Sequence, residues 1–442
     1  MSQTLKFGNK TWATKVGSTL AYNDENGNYK PLPFAFTRST SATRVNKDGL
    51  IEVVTNDRPR IDYTDTSDGV LLLEKAATNL ITYSEDFSNA AWDLFRISVT
   101  TENYLSPNGS RNVKNIIPDI SNNTHGVFDF VSVSSGTYTS SVFLKANGYN
   151  FACVRISVDN DTKRFGAVVD LTNGDVTSTD ATGSPTSTSF SVNNYGNGWY
   201  RLSVSCSHSS GSVYLTISPS LTSNPTFSSS LPSFQGDGTS GVLVFGAQLE
   251  LGNASSYIPT QGSASTRVAE TASGSGNSEV FNDSEGVLML DINYKNIQSA
   301  WQGIAITNDN DINNRIFIGI NSNTKILEIY FQSGGSLLWQ PDFELSKINQ
   351  FQKIALKYKA NDLALFVNGF EVATNNSVST MPIGLSLLGF FGFGTTQPQY
   401  GSTKEIGYYD TILTDLELET LTSYKSWTSM VNELNLNIIY NG

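Results

Sequence analysis

Short runs of apolar and β-branched residues, separated by turns rich in Asn, Gly and Ser, recur through most of this 442-residue chain. Repeated runs of this kind are typical of antiparallel sandwiches and jelly rolls. The first group of predicted strands is Thr137–Lys145, Phe151–Val158, Phe165–Leu171, Trp199–Cys206, Ser212–Ser218 and Val242–Leu251. The second group is Gly286–Asn293, Gln302–Thr307, Arg315–Ile320, Lys325–Phe331, Gln352–Lys359 and Asp362–Asn368. We therefore predict an all-β fold, with a short N-terminal β-rich segment followed by two antiparallel β-sandwich (jelly-roll) domains.

Linker-like sequence divides the chain into three predicted segments. The run Val242–Leu251 is followed by Pro259, which cannot continue a strand ladder, and then by small polar residues. The sequence Ser265-Thr-Arg-Val268 is similar to Ala42-Thr-Arg-Val45. One of these two stretches precedes the first large predicted domain, and the other ends it. The predicted domains are 1–82, 83–268 and 269–442. The first holds few core residues, and we expect it to bury its apolar face against another chain or the next domain.

The charge balance bears on possible partners. The chain has 28 Lys and Arg against 40 Asp and Glu, a net charge of −12, and no dense basic run. Because nucleic-acid affinity depends on clustered cations, nucleic acid is not a predicted partner. The first residues lack the apolar core of a secretory signal, and no window approaches the 18 apolar residues of a membrane span. We expect a soluble chain that does not insert into a membrane.

Titratable residues give little indication of catalysis. Cys153 and Cys206 both lie in predicted strands, where we expect two buried free thiols in preference to a disulfide. His125 lies in a predicted turn and is expected to be exposed. His208 shares a strand face with Cys206, but no orienting group or oxyanion donor accompanies the pair.

Polysaccharide hydrolysis needs two carboxylates beside the cleaved bond, and enzymes with a concanavalin-A-like fold carry such acids two and four residues apart on one strand. Asp291 has no second acid two residues away, and Glu405 has none two or four residues further on. We therefore predict a binding protein that is not an enzyme.

Local signals mark two hairpins and one helix. Asp48-Gly49 and Asn368-Gly369 are strong hairpin dipeptides between strand-like runs. Thr414 has Glu417 three residues later, which is the pattern of a capping box at the start of a helix. Trp199 is predicted to lie in a core.

Four stretches near the N-terminus resemble the leader of a family of bacteriophage virion proteins, the tail fibres and related appendages. They are Phe36-Thr-Arg-Ser-Thr-Ser-Ala-Thr-Arg-Val-Asn-Lys-Asp-Gly-Leu-Ile-Glu52, Arg58-Pro-Arg-Ile-Asp-Tyr63, Leu71-Leu-Leu-Glu-Lys-Ala-Ala-Thr-Asn-Leu-Ile81 and Tyr83-Ser-Glu-Asp-Phe-Ser-Asn-Ala-Ala-Trp92. Where the family usually has Glu-Pro-x-Arg-Thr-Asn, this chain has Glu74-Lys-Ala-Ala-Thr-Asn79, so the family's Arg is missing. The resemblance implies that 1–82 is a virion-docking segment.

Later motifs extend the resemblance. The second segment resembles the carbohydrate-binding-module-like jelly rolls of the same phage proteins, through Tyr138–Ala146, Asp170–Val176, Gly196–Leu202 and Gly246–Glu250. The third segment resembles laminin-G and concanavalin-A-like lectin sandwiches, through Leu365-Phe-Val-Asn-Gly369 and Ile406–Leu418. These likenesses imply a virion protein made in the host cytoplasm, a homotrimer, and contact with host-surface glycans.

Candidate ligand residues lie in the third segment. Sugar sites commonly combine an aromatic platform with polar donors and acceptors. The predicted ligand-binding residues are Trp301, Gln302, Trp339, Gln340 and Tyr400, although large aromatic residues in sandwiches mostly fill the core.

A loop in the same segment offers clustered side-chain oxygens. Asn308-Asp-Asn-Asp-Ile-Asn-Asn314 makes Asp309 and Asp311 candidate Ca²⁺ ligands, although its spacing matches no complete calcium loop. No other cofactor is predicted.

Three functions follow from these observations. The first is a phage tail fibre or receptor-binding appendage that contacts host glycans. The second is a purely structural virion subunit such as a head fibre, collar or decoration protein, which buried Trp301 and Trp339 would favour. The third is a secreted carbohydrate-active enzyme, which the missing signal and unpaired acids disfavour.

Overall fold

The computed structural model describes residues 3–6, 12–13, 21–23, 29–31, 34–294, 301–308, 311–321, 324, 326–345, 348–391 and 398–433. Strands make up 55% of the structure and helices 3%, and the large sheets are antiparallel. The all-β prediction is therefore confirmed.

Contacts group the chain into two compact units. One, the terminal sandwich, comprises Met1–Ser39, Asn56–Lys75 and Ala269–Gly442. The other, the central sandwich, comprises Thr40–Thr55 and Ala76–Val268. The strands of segment 1–82 are divided between the two units, and the role of that segment in virion docking stays a prediction.

The terminal sandwich contains two large sheets. In spatial order the first is Phe370–Asn375, Leu363–Val367, Gln352–Lys359, Glu285–Asn293, Gly401–Tyr409, Val70–Leu73 and Arg60–Asp62, with Gln3–Lys6 also paired to Gly401–Tyr409. The second is Ser336–Trp339, Ile326–Ser333, Asp311–Asn321, Trp301–Asn308, Leu387–Gly389, Thr271–Ser275 and Ala35–Thr37, with Asp342–Glu344 also paired to Ile326–Ser333. A small sheet contains Trp12–Ala13, Ala21–Asn23 and Tyr29–Pro31. Side chains from both large sheets form one hydrophobic core.

The central sandwich also has two large sheets around one core. The first is Asp93–Phe95, Gly126–Ser132, Ser212–Ser220, Phe151–Val158, Lys163–Asp170 and Val176–Thr182. The second is Ile97–Glu102, Val113–Pro118, Gly241–Leu251, Gly136–Asn147, Tyr200–His208 and Ser189–Asn194. Smaller sheets join Asn122–Thr124, Leu231–Gln235 and Phe227–Ser228, then Ala77–Asn79 with Ser265–Arg267, and Ala42–Val45 with Ile51–Val54. Trp199 is buried here, as predicted.

The early strands of the terminal sandwich are buried by the C-terminal segment of the same chain. Phe36, Ile61 and Leu71 lie in its core. Ala35–Thr37 pairs with Thr271–Ser275, more than 230 residues away in sequence. The predicted need for a partner is therefore met within this unit.

A buried ion network fixes the same strands. The Arg38 guanidinium lies 2.7 Å from the Glu270 carboxylate, and Arg60 pairs with both Glu270 and Glu74. All four residues are buried. Buried charges need such partners, because an unpaired charge in the interior costs several kcal/mol. Glu74 thus forms an ion pair although the family's Arg is absent from its motif.

The predicted local elements form. Asn368 and Gly369 both have positive φ, 51° and 88°, which matches the twist of the hairpin between Leu363–Val367 and Phe370–Asn375. A capping box at Thr414 begins the helix Asp415–Thr422, and a second helix spans Trp427–Glu433.

Candidate functional site

The outer face of the second sheet in the terminal sandwich carries aromatic and polar side chains. Along Asp311–Asn321, Ile316, Ile318 and Ile320 point into the core. Strand alternation therefore places Arg315, Phe317 and Asn321 on the opposite face. The neighbouring strand repeats this pattern, because Leu327, Ile329 and Phe331 are core residues while Glu328 and Tyr330 alternate with them. The residues Trp301, Arg315, Asn321, Glu328 and Tyr330 are called the Glu328 cluster.

Two glycines on this face allow an aromatic ring to pack directly against the backbone. Gly303 and Gly319 are directly opposed on adjacent strands. A Cβ atom on either one would collide with the Phe317 ring, which is fully buried. The ring therefore packs against bare backbone, an arrangement that only glycine allows here.

The Glu328 carboxylate is the centre of the cluster. Trp301 donates its Nε1–H to Glu328 Oε2 at 2.5 Å, and the Tyr330 hydroxyl donates to the same oxygen at 2.8 Å. Asn321 Nδ2 donates to Oε1 at 3.0 Å. Because a carboxylate has about four acceptor positions, these three hydrogen bonds leave room for about one more donor.

Burial shapes the electrostatics of this face. The Arg315 guanidinium lies 5.1 Å from the Tyr330 ring centroid and 5.8 Å from that of Phe317. Burial lowers the pKa of Arg315 to about 10, so the side chain remains a cation at neutral pH. Burial and the hydrogen bond to Glu328 raise the pKa of Tyr330. Asp342, on the adjacent strand, is paired with Glu328. Burial and the charge of Glu328 both raise the pKa of Asp342. The face therefore combines rings, one cation and two neighbouring carboxyl groups.

The structure places the five predicted ligand residues in different settings. Trp301 is half-buried and belongs to the Glu328 cluster, whereas Trp339 is half-buried and packs against the core on the other side of the sheet. Gln302 is fully buried and accepts a 3.4 Å hydrogen bond from the Tyr400 backbone N–H. Tyr400 is half-buried against the core, and Gln340 is exposed. Their role in ligand binding stays a prediction.

The structure describes only part of the predicted metal site. Asp309 lies outside the described residues, and the side chain of Asp311, the first residue of its strand, is likewise not described. Among the residues that the structure describes, no group of three or more His, Cys, Asp or Glu is arranged to hold a metal ion. Calcium binding at Asp309 and Asp311 stays a prediction.

Sequence reasoning missed Glu328, Tyr330, Arg315 and Asn321. The signal was present as period-2 alternation in Ile326–Ser333, which separates three apolar residues from Glu, Tyr and Gln. Assigning these side chains to the Trp301 face also requires the register, which places Trp301 opposite Asn321.

The histidine prediction needs correction. His125 is fully buried, and its two ring nitrogens lie 3.0 and 3.1 Å from the carbonyl oxygens of Arg96 and Phe234. The turn is therefore covered by the strand Leu231–Gln235, which local sequence does not reveal. His208 is also buried, and its Nδ1 accepts from the Asp159 backbone N–H at 3.2 Å.

The two cysteines are buried and free, as predicted. Burial raises the pKa of the Cys153 thiol to about 12 and also raises the pKa of Cys206. Both side chains are therefore thiols at neutral pH, which disfavours nucleophilic chemistry because the thiolate is the reactive form.

One acid pair was missed because it crosses strands. The register places Asp291 directly opposite Glu405. Lys353 lies 2.5 Å from the Asp291 carboxylate, which is therefore held in an ion pair.

Within the described part of the chain, no helix is both long and apolar enough to span a membrane.

Comparisons with known proteins give only distant likenesses. No family model and no curated protein matches the sequence. Among solved structures, the Ruminococcus gnavus IT-sialidase CBM40 bound to alpha2,3 sialyllactose matches at 17% identity and a TM-score of 0.29, covering 34% of this chain and 94% of that one. Mouse laminin alpha1 chain domains LG4-5 match at 9% identity and a TM-score of 0.23, covering 68% and 91%. Trypanosoma rangeli sialidase matches at 8% identity and a TM-score of 0.28, covering 95% and 98%. These likenesses do not assign the chain to a family.

Proposed function

We propose that this chain binds glycans through the Glu328 cluster. The observation that carries the proposal is the arrangement of Trp301 and Tyr330 around one fixed carboxylate. A sugar ring has an apolar C–H face and a rim of hydroxyl groups, so it needs an aromatic surface beside well-placed acceptors and donors. Glu328 retains about one acceptor position for a hydroxyl group. Arg315 supplies the positive charge on the same face.

The setting that we propose is a bacteriophage virion appendage, such as a tail fibre, that contacts glycans on the host surface. The support is the sequence resemblance of the N-terminal stretches. Several polar residues from these stretches, Arg38, Arg60 and Glu74, also form the buried ion network, so the motif has a physical role in the terminal sandwich. As a homotrimer, the chain would present three copies of a weak site and gain avidity.

The experiment is adsorption of the purified full-length protein to host and non-host cells, with competition against phage attachment. Trp301→Ala removes an indole that contacts Glu328, and we expect at least tenfold weaker adsorption, equivalent to about 1.4 kcal/mol. Trp427→Ala is the matched control, because Trp427 is 64% exposed on the C-terminal helix. Wild-type adsorption by Trp301→Ala protein would contradict the proposal.

A structural virion subunit is the second candidate. The Trp301–Glu328 hydrogen bond favours it, since the indole N–H already has a partner within the fold. Both Trp301 and Trp339 are half-buried, so their exposure alone does not distinguish the two functions. Folded, correctly assembled wild-type protein that adsorbs to no host cell would favour the structural subunit.

A further inference from the structure

The central sandwich has a different aromatic surface on the outer face of its first sheet. In Gly126–Ser132, Val127 is a core residue and Val131 packs against the same core, so Phe128 and Phe130 lie on the opposite face. The next strand places Tyr214 opposite Phe130, and Thr216 opposite Phe128. The residues Phe128, Phe130, Tyr214, Thr216 and Arg155 are called the Phe130 patch.

Two rings of this patch are stacked on each other, and one of them is exposed to solvent. Phe130 and Tyr214 have centroids 4.9 Å apart with an interplanar angle of 27°, and Phe128 lies 6.4 Å from Tyr214. Phe130 is 47% exposed, and the other two rings are half-buried. The solvent face of an antiparallel sheet normally carries polar residues, so three adjacent rings there indicate a binding surface.

Polar groups border the rings on the next strand. Arg155 lies opposite Thr216 and donates Nη2–H to its hydroxyl at 3.1 Å, while Nη1 donates to the Ser229 carbonyl at 2.9 Å. Arg155 is only 8% exposed, and its Nε–H has no acceptor.

An acid completes this border. Asp161 accepts two hydrogen bonds from Arg164, at 3.0 and 2.9 Å, and lies 3.6 Å from Arg155. Arg155, Asp161 and Arg164 together carry one net positive charge. The border thus offers both donors and a carboxylate acceptor beside the stacked rings.

We propose that the Phe130 patch is a second glycan-binding site, which takes a pyranose ring. The C–H face of the sugar stacks on Phe130 and Tyr214, and its hydroxyl groups bond to the Asp161 carboxylate and the Arg164 guanidinium at the border, whose side chains are 34% and 22% exposed. A second copy of the chain fits less well, because three rings bordered by charged groups form a smaller apolar surface than stable protein interfaces need. The site lies in the other sandwich and does not depend on the Glu328 cluster.

The test is titration of the full-length protein with neutral and acidic polysaccharides built from pyranose units. We expect Phe130→Ala and Tyr214→Ala each to weaken binding of at least one polysaccharide by tenfold or more. Phe190→Ala is the matched control, since Phe190 is 48% exposed on the other sheet of the central sandwich.

The outcomes separate the two sites. Suppose that Trp301→Ala weakens binding, whereas Phe130→Ala and Tyr214→Ala proteins both bind within twofold of wild type. That result overturns this inference and leaves the proposed function standing. If at least one polysaccharide needs Phe130 and Tyr214 and none needs Trp301, this inference stands and the role of the Glu328 cluster is contradicted. A concentration-dependent dimer abolished by Phe130→Ala would assign the patch to a second copy, and failure of every polysaccharide to bind wild-type protein would overturn both proposals.

Discussion

The two sandwiches use aromatic residues on their outer sheet faces in opposite ways. In the terminal sandwich Phe317 is fully buried over two glycines, and Trp301 and Tyr330 direct their donors at Glu328. In the central sandwich Phe130 is 47% exposed and stacks on Tyr214. Both faces arise from the same strand alternation. Each phenylalanine is paired with a tyrosine on a neighbouring strand, but only Phe317 also packs on two glycines, Gly303 on the adjacent strand and Gly319 on its own strand.

The largest expected effect comes from removing the matched phenylalanines. We expect Phe317→Ala to lower the free energy of unfolding of the terminal sandwich by about 3–5 kcal/mol, because it leaves a cavity over the glycines. Phe130→Ala should lower that of the central sandwich by less than about 1 kcal/mol, because the ring is half exposed. Denaturant unfolding of both variants measures this difference. Equal losses would show that the two faces are not distinct in packing.

A smaller effect is expected from Glu328→Ala. The change leaves the donors of Trp301, Tyr330 and Asn321 without their shared acceptor, and we expect the terminal sandwich to lose about 2–3 kcal/mol. Glu344→Ala, at an exposed position on the adjacent strand Asp342–Glu344, should cost less than about 0.5 kcal/mol. Urea unfolding compares the two. If the Glu328→Ala protein were as stable as the control, the hydrogen bonds to this carboxylate would not stabilise the terminal sandwich.

The smallest expected effect is a pH dependence at Asp129, which lies on the strand Gly126–Ser132 but on the face opposite Phe128 and Phe130. Burial raises the pKa of Asp129 from 3.8 to about 6. Because the folded state then holds this proton more tightly than the unfolded state, the contribution of Asp129 to stability falls as pH rises from about 4 to 6. Solvent screening at this partly exposed group reduces the effect to about 1 kcal/mol.

Asp129→Asn should therefore remove about 1 kcal/mol of the difference in central-sandwich stability between pH 4 and pH 7. Thermal unfolding of both proteins at several pH values measures it. An identical pH profile for the variant and the wild type would contradict the assignment.

Local sequence signals predicted much of the fold. Phe151–Val158 and Gln352–Lys359 match the structure residue for residue, and the capping box at Thr414 begins the expected helix. These elements follow from alternation, turn dipeptides and capping, all of which are properties of neighbouring residues.

Other features depend on contacts between distant residues and could not be predicted this way. His125 is buried by a strand more than 100 residues later. Trp301 and Trp339 look equivalent in the sequence, but the pairing of Trp339 with Phe331 places it on the core side. The mixing of early and late segments in the terminal sandwich likewise depends on pairings that only the folded chain shows.

The most direct test of glycan binding at the Glu328 cluster is ¹⁹F NMR of protein labelled with fluorotryptophan, titrated with host-surface polysaccharide. Substitution of each of the six tryptophans assigns its signal. We predict that the Trp301 signal shifts as the polysaccharide saturates the protein. The signal of Trp199, which is buried and donates its Nε1–H to the Leu105 carbonyl at 2.8 Å, should stay in place. An unmoved Trp301 signal at saturating polysaccharide would contradict the account.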